Sequence, residues 1–161
     1  MTRAEQLQPM LRQLLATRRA RMENTQSDAG RGERLHFASD SRRNRRLAAQ
    51  LFAYELALDL FELDLAELVS KYVGETERHL DAVFRDAETA GAVLLIDEAD
   101  ALFGKRSEVR DAHDRYANLD VNYLLQKLES YAGIVVLTSN LGARFDVPGA
   151  HGCERVELSD D

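Results

Sequence analysis

Residues 93–100 read Val-Leu-Leu-Ile-Asp-Glu-Ala-Asp, an apolar run that ends in a cluster of acids. A short, continuous apolar run of this kind predicts a β-strand buried on both faces of a sheet. In open α/β sheets, ligands bind outside the carboxyl ends of the strands. The strand would deliver Asp97 and Glu98 to that edge, where one carboxylate could hold Mg²⁺ and the other could orient a water molecule that attacks a phosphate. The alternative is an acidic turn that caps a helix.

Strand and helix patterns alternate on both sides of this stretch. We predict buried strands over residues 92–96 and 134–138, further strands over 35–38 and 60–63, and an edge strand over 156–158. We predict helices over residues 45–58, 75–90 and 118–131. Strands that alternate with helices indicate an α/β fold, with a mostly parallel sheet covered by helices on both faces.

The first part of the chain has a different character. Residues 3–22 carry leucines at three- and four-residue spacing and predict a helix, and the polar, glycine-containing residues 23–33 predict a linker. We therefore divide the chain into an N-terminal helix and linker, residues 1–33, and one domain, residues 34–161.

Charge is divided along the chain in a similar way. Residues 1–46 hold 11 basic and 5 acidic side chains, whereas residues 47–161 hold 10 basic and 23 acidic ones. A basic arm can contact nucleic acid or an acidic partner, although it can equally be a solvated helix and loop. Because no aromatic residues interleave with the arginines, we do not expect a nucleic-acid partner.

Composition limits the remaining classes of protein. The 161 residues suffice for one domain, and the single cysteine, Cys153, excludes an internal disulfide bond. No apolar run approaches the ~20 residues that a membrane helix needs, and no secretory signal is visible at the N-terminus. We expect a cytoplasmic protein that does not enter a membrane.

A second polar strand end follows the first along the chain. Thr138, Ser139 and Asn140 close the predicted strand over residues 134–138. The amide of Asn140 could hydrogen-bond the attacking water or a terminal phosphate, whereas a Ser-Asn pair by itself is an ordinary turn. Its position one strand after the acids favours the functional interpretation.

The loop after the first predicted strand lacks the features of a phosphate cradle. Residues 39–46 read Ser-Asp-Ser-Arg-Arg-Asn-Arg-Arg and contain no glycine, although glycines let backbone N–H groups wrap a phosphate. Asn44 tolerates a left-handed backbone well. Four arginines crowd the start of the following helix, where the helix dipole disfavours cations. An anion lying there would offset this cost.

Taken together, residues 35–158 resemble the large domain of an AAA ATPase, a P-loop NTPase-like parallel sheet flanked by helices. The resemblance implies that Asp97 assists Mg²⁺, that Glu98 activates water and that Asn140 is the sensor-1 residue. It implies that Tyr72 and Val73 form a first pore loop that grips a polypeptide, and residues 104–118 are similar to the segment of the second pore loop. It further implies ATP and Mg²⁺ as cofactors, and a polypeptide client or other AAA subunits as partners in a homo- or hetero-oligomeric ring. The chain looks most like bacterial AAA ATPases encoded beside phage-tail-like contractile injection systems.

The departures from the family pattern concern the phosphate-binding half of the site. Asn44, Arg45 and Arg46 fall on the degenerate P-loop, with Arg45 where the family has lysine and Arg46 where it has serine or threonine. Arginine does not replace that lysine as an equivalent phosphate ligand. Residues 145–155, where the family places arginine fingers, offer only Arg155. We also expect the helical lid domain to be absent.

Two functions follow from these matches and departures. One is an ATP-hydrolysing AAA protein that remodels other proteins. The other is a non-catalytic structural or regulatory partner of complete AAA subunits. A damaged or truncated copy is a third reading. Because the P-loop supplies most of the phosphate binding, we predict that hydrolysis is weak or lost.

Overall fold

The computed structural model describes residues 2–24, 32–71, 74–100, 121–142 and 154–158. These contain helices and strands in the order α1 (Arg3–Asn24), β1 (Glu33–Ala38), α2 (Arg42–Glu55), β2 (Leu60–Leu63), α3 (Leu65–Lys71), α4 (Thr76–Ala90), β3 (Val93–Ile96), α5 (Val121–Ser130), β4 (Ile134–Ser139) and β5 (Glu154–Glu157). Among the described residues, no helix is both long enough and apolar enough to cross a membrane.

The five strands form one parallel sheet in the order β2-β3-β4-β1-β5. Parallel pairing brings the carboxyl ends of all strands to one edge. At this edge, Ala38 lies opposite Ser139, and Ile96 lies opposite Leu137. The residues that follow β1, β3 and β4 are therefore neighbours in space, although they are distant in sequence. The α/β class predicted from the sequence is confirmed.

Each face of the sheet is buried in its own hydrophobic cluster. In β3, Val93 and Leu95 belong to the cluster beneath α1 and α2, whereas Leu94 and Ile96 belong to the cluster beneath α3, α4 and α5. Successive side chains of a strand point to opposite faces, so a strand covered on both sides must be apolar at every position. This is the physical reason that β3 reads as an uninterrupted apolar run.

The N-terminal helix contributes to the first of these clusters. The cluster beneath α1 and α2 contains four leucines of α1, namely Leu7, Leu11, Leu14 and Leu15. Polar contacts reinforce this packing, since Gln8 donates to Glu55 at 3.0 Å and Arg18 is paired with Glu33. Helix α1 thus packs on α2 and on one face of the sheet, and Arg18 reaches the amino end of β1.

Element bounds differ from the predictions at several helix ends. Helix α2 begins at Arg42, three residues before the predicted start, because the Ser41 hydroxyl accepts a hydrogen bond from the Asn44 N–H and caps the helix. Helix α5 ends at Ser130, one residue before the predicted end, while predicted residues 118–120 lie outside the described residues; α3 is not among the predicted helices. Strand β2 lies at the predicted residues.

Candidate functional site at the carboxyl edge of the sheet

The acids after β3 lie in a tight turn that β4 holds in place. Thr138 of β4 accepts two hydrogen bonds from this turn, one from the Ala99 N–H to its carbonyl at 2.8 Å and one from the Glu98 N–H to its hydroxyl at 3.2 Å. The Thr138 hydroxyl in turn donates to the Asp97 carboxylate. Glu98 adopts a left-handed backbone conformation, with φ of 57°. This conformation is uncommon for a residue other than glycine, asparagine or aspartate, and the contacts to Thr138 help to maintain it.

The connection between β1 and α2 is short. Only residues 39–41 separate the end of the strand from the first residue of the helix. Residues 42–46, which the resemblance places in the P-loop, are already helical. Their backbone therefore follows the helix and does not wrap around a ligand.

Arg45 is the central side chain of this edge, and only 4% of it is exposed. Its Nε lies 3.2 Å from Oδ1 of Asp97. Its Nη1 donates to the carbonyl of Ser39 at 2.7 Å and to Oδ1 of Asn140 at 3.2 Å. One guanidinium thus bridges the residues that follow β1, β3 and β4.

A second arginine completes the pairing of Asp97. Nε of Arg42 lies 3.1 Å from Oδ2 of Asp97, on the solvent side, where 58% of the Arg42 side chain is exposed. The negative charge of Asp97 raises the pKa of Arg42 above its ordinary value. With Arg45 on one carboxylate oxygen and Arg42 on the other, both oxygens of Asp97 are engaged by protein cations. The sequence predicts an anion near the arginines at the start of α2, and the Asp97 carboxylate is such an anion.

The other two residues expected at the phosphate site do not face Asp97 in this way. Arg46 pairs with Glu62 of β2 at 2.6 Å, with 44% of its side chain exposed. Asn44 is buried, and its backbone N–H is directed to the capping hydroxyl of Ser41. Arg45 is the member of this group that meets both Asp97 and Asn140. Tyr72 and Val73, the predicted pore-loop residues, lie outside the described residues, as do residues 104–118.

The turn that carries Asn140 is anchored from several directions. The Leu141 N–H donates to Asp40 at 3.0 Å, and the Leu141 carbonyl accepts from Arg155 of β5 at 2.6 Å. The Ser139 hydroxyl donates to the Asn140 carbonyl at 2.8 Å. Arg155 is thus bonded within its own chain, to the turn that positions Asn140.

Sequence reasoning missed two participants, Arg42 and Thr138. In the sequence, Arg42 is one of four arginines with nothing to distinguish it, and Thr138 is simply the end of a predicted strand. The period-2 alternation of β4 could have indicated which face of the sheet Thr138 shares, but not that its hydroxyl reaches the turn after β3. Within the described ranges, no group of three or more His, Cys, Asp or Glu side chains is arranged to hold a metal ion.

A parallel sheet in this strand order, with acids after one central strand and an amide after the next, defines an α/β domain of the P-loop NTPase class. Residues 46–156 match the model of the ATPase family associated with various cellular activities (AAA). This match covers more than half of the chain, and the protein belongs to the AAA family.

Individual relatives agree with this assignment. The chain is 34% identical over 102 residues to an uncharacterized AAA family ATPase, y4kL, of Sinorhizobium fredii, covering 62% of this chain and 30% of the relative. It is 31% identical over 94 residues to a cell division cycle protein 48 homolog of Archaeoglobus fulgidus, covering 58% and 13%. It is 34% identical over 86 residues to a proteasome-activating nucleotidase of Aeropyrum pernix, covering 53% and 21%. The chain therefore spans less than a third of the length of each of these relatives.

Proposed function

We propose that this chain is an AAA domain that does not hydrolyse ATP and acts as a structural or regulatory partner of complete AAA subunits. The observation that carries the proposal is the pairing of both Asp97 oxygens with Arg45 and Arg42. The proposed functional unit is residues 34–161, with residues 1–33 as an appended helix and linker.

The residues at this edge do not fit ATP with Mg²⁺ in the manner that the family implies. A magnesium ion takes oxygen ligands at about 2.0–2.1 Å and needs a carboxylate that is not already neutralised. A cation placed at Asp97 would meet the guanidinium of Arg45, and Arg46 has no hydroxyl to offer in place of serine or threonine. Removing Arg45 from Asp97 would leave a largely buried guanidinium without its carboxylate, which typically costs about 3–5 kcal/mol.

The backbone supports the same conclusion. A phosphate cradle needs several backbone N–H groups directed into one concave loop, and glycines make that curvature possible. Here a three-residue connection leads directly into α2, and the first helical N–H group with a side-chain acceptor, that of Asn44, is already capped by Ser41. The match to the family model begins only at Arg46, after this segment.

Two residues expected of an ATPase site, Glu98 and Asn140, are present, so ATP hydrolysis is the second candidate function. Glu98 and Asn140 stand after adjacent strands, at the positions that the resemblance assigns to water activation and to sensor 1. A site with these two groups but a blocked Asp97 suits a subunit whose shape is preserved while its chemistry is not. On this proposal, Tyr72 and Val73 would still contact a polypeptide client, and complete AAA subunits would supply the hydrolysis. The expected similarity to ATPases of contractile injection systems stays a prediction.

Calorimetric titration with ATP and Mg²⁺ tests the proposal directly. We expect no binding up to millimolar ATP and no turnover. The matched variant is Asn44→Gly/Arg45→Lys/Arg46→Thr, which restores the family residues and should gain affinity if these side chains are the main defect. Micromolar binding by the unmodified chain, together with turnover that Glu98→Gln abolishes while binding persists, would overturn the proposal.

The partner half of the proposal needs a separate experiment. The chain would be mixed with each complete AAA protein of its own genome, and assembly would be followed by mass photometry alongside the ATPase rate. We expect one of them to form a mixed assembly with a changed rate. If every complete subunit assembles and hydrolyses ATP independently of this chain, the partner role is wrong.

A further inference from the structure

We infer that the acceptors around Arg45 form a guanidinium-binding site, and that Arg45 is its ligand, tethered through α2. This inference rests on the proposed function, because it identifies what replaces the external ligand at the carboxyl edge. It concerns three acceptors that the sheet brings together, namely the Asp97 carboxylate, the Asn140 side-chain oxygen and the Ser39 carbonyl.

The geometry of the contacts matches the shape of a guanidinium group. Nε donates towards Asp97, while Nη1 donates towards Ser39 and Asn140, so the acceptors lie in two directions from one planar cation. A guanidinium carries its donors in a rigid fork, whereas an ammonium concentrates them on one nitrogen atom. The acceptor arrangement therefore favours a guanidinium over a lysine-type ammonium.

Burial makes this site distinct from the other arginine pair at the start of α2. Arg45 and Asp97 expose only 4% and 8% of their side chains. Arg46 and Glu62, one residue further along α2, expose 44% and 27%. Removing one partner of a buried ion pair is strongly destabilising, whereas exposed pairs contribute little, so truncation of Arg45 should cost more stability than truncation of Arg46.

The tethered cation has a structural consequence. It connects the residues that follow β1, β3 and β4 without any external molecule, and these three strands are adjacent in the sheet. The shape of this edge should therefore be independent of nucleotide. Addition of ATP would leave it unchanged, whereas loss of the guanidinium would loosen it.

Chemical rescue of Arg45→Ala tests the inference. The truncation removes the guanidinium but leaves its acceptors in place, and we expect the melting temperature to fall by about 10 °C. Methylguanidinium at about 10 mM should then bind the vacated acceptors and raise the melting temperature of this variant by roughly 4 °C. Methylammonium at the same concentration is the probe for charge without the fork and should have little effect.

The control variant is Arg46→Ala, which removes a neighbouring and exposed arginine of the same helix. Methylguanidinium should not raise its melting temperature. If methylguanidinium shifts Arg45→Ala and Arg46→Ala equally, or shifts neither, the inference is wrong. Equal rescue of Arg45→Ala by methylammonium would also overturn it, because the site would then recognise charge alone.

A measurement on the unmodified chain covers the case in which Arg45→Ala does not fold. Nitrogen-15 spectra of arginine side chains report each Nε–H separately, and a hydrogen-bonded, buried Nε–H exchanges slowly with water. We expect a slowly exchanging signal that disappears in Arg45→Lys. If no protected signal depends on Arg45, its guanidinium is not held at Asp97. Titrating the unmodified chain with ATP distinguishes this inference from the proposed function. Binding of ATP would contradict the proposed function, whereas rescue of Arg45→Ala by methylguanidinium would still support the guanidinium-binding site.

Discussion

The two ends of the sheet each contain a buried arginine, and the two are held in different ways. At the amino end, Arg34 of β1 donates to main-chain carbonyls, including those of Tyr131 at 2.9 Å and Gly133 at 3.1 Å, and also to that of Leu128. At the carboxyl end, Arg45 donates to the side chains of Asp97 and Asn140 as well as to a carbonyl. The first arginine fastens the end of α5 to the sheet. The second fills an edge where α/β proteins ordinarily bind ligands.

The acceptors of Arg34 and those of Arg45 differ in the other ligands that they could bind. Carbonyls at the end of a helix need a donor in any protein of this fold, and Arg34 supplies one. A carboxylate and an amide at the ligand edge could instead serve an external cation or phosphate. A buried arginine is therefore a structural fastening at the amino end, whereas at the carboxyl end it also engages side chains that could otherwise serve a ligand.

The largest effect is expected at the amino end. Arg34→Met keeps the aliphatic stem but removes the charged donor from the Tyr131 carbonyl and leaves those of Leu128 and Gly133 with their backbone donors alone. It should reduce the free energy of unfolding by about 4 kcal/mol. Urea denaturation measures this change. A loss below about 1 kcal/mol would mean that water replaces the guanidinium readily and that the fastening role is wrong.

The next effect tests whether Arg45 and Asp97 act as a pair. Arg45→Ala and Asp97→Ala should each cost about 3 kcal/mol, since the first removes the buried cation on Asp97 and the second leaves the buried guanidinium of Arg45 without its carboxylate. The double variant should cost about 2 kcal/mol less than the sum of the two, because it leaves neither charge unpaired. Additive losses in a denaturation cycle would show that the two side chains do not depend on each other.

A smaller effect is expected at the turn that presents Glu98. Thr138→Val preserves the shape of the side chain but removes the hydroxyl that serves both Asp97 and the Glu98 N–H, and should cost about 1.5 kcal/mol. Thr138→Ser keeps the hydroxyl and is the matched control. Equal losses in the two variants would assign the effect to packing and not to the hydrogen bonds.

The smallest effect lies away from both ends, between α4 and α5. Lys127 lies 2.6 Å from Asp81 and Tyr123 donates to the same carboxylate at 2.5 Å. These hydrogen bonds, first that of Lys127 and then that of Tyr123, hold the pKa of Asp81 below its ordinary value. A carboxyl group with a lowered pKa stabilises the fold at pH values above its ordinary pKa. This contribution is lost as the pH falls through the lowered pKa.

Asp81→Asn should therefore cost about 0.5 kcal/mol at neutral pH, a small amount because the pair is partly exposed. The difference from the unmodified chain should vanish in acid, below the lowered pKa of Asp81. Chemical denaturation at a series of pH values measures it. A difference that persists unchanged into acid would assign the effect of the variant to something other than the Asp81 charge.

The sheet could be predicted from the sequence, but the ion pairs of Asp97 at its carboxyl edge could not. Strands β3 and β4 could be predicted because burial on both faces forces a continuous apolar run. The predicted start of α2 lies three residues too late. Arginines are unfavourable at a helix start, but the Ser41 hydroxyl caps the helix ahead of them. Helix α3, with seven residues, is too short to display a clear helical period.

At the site, the meeting of Asp97 and Asn140 could be predicted from parallel topology alone. The pairing of Arg45 with Asp97 could not, because an ion pair between residues 52 positions apart leaves no local pattern in the sequence. The cost of cations at a helix start did indicate a compensating anion. It did not indicate whether that anion would be a bound phosphate or a side chain of the same protein.

The early start of α2 has a consequence for any attempt to restore a phosphate loop by substitution. With Ser41 as its cap and Arg42 already helical, the segment cannot become a phosphate loop through one replacement. Arg45→Lys by itself would weaken the contacts to Asn140 and Ser39 while the backbone still followed the helix. Arg45→Lys would therefore lower the stability of this edge without opening the backbone to a nucleotide, so a change of this one side chain does not by itself supply the family's phosphate loop.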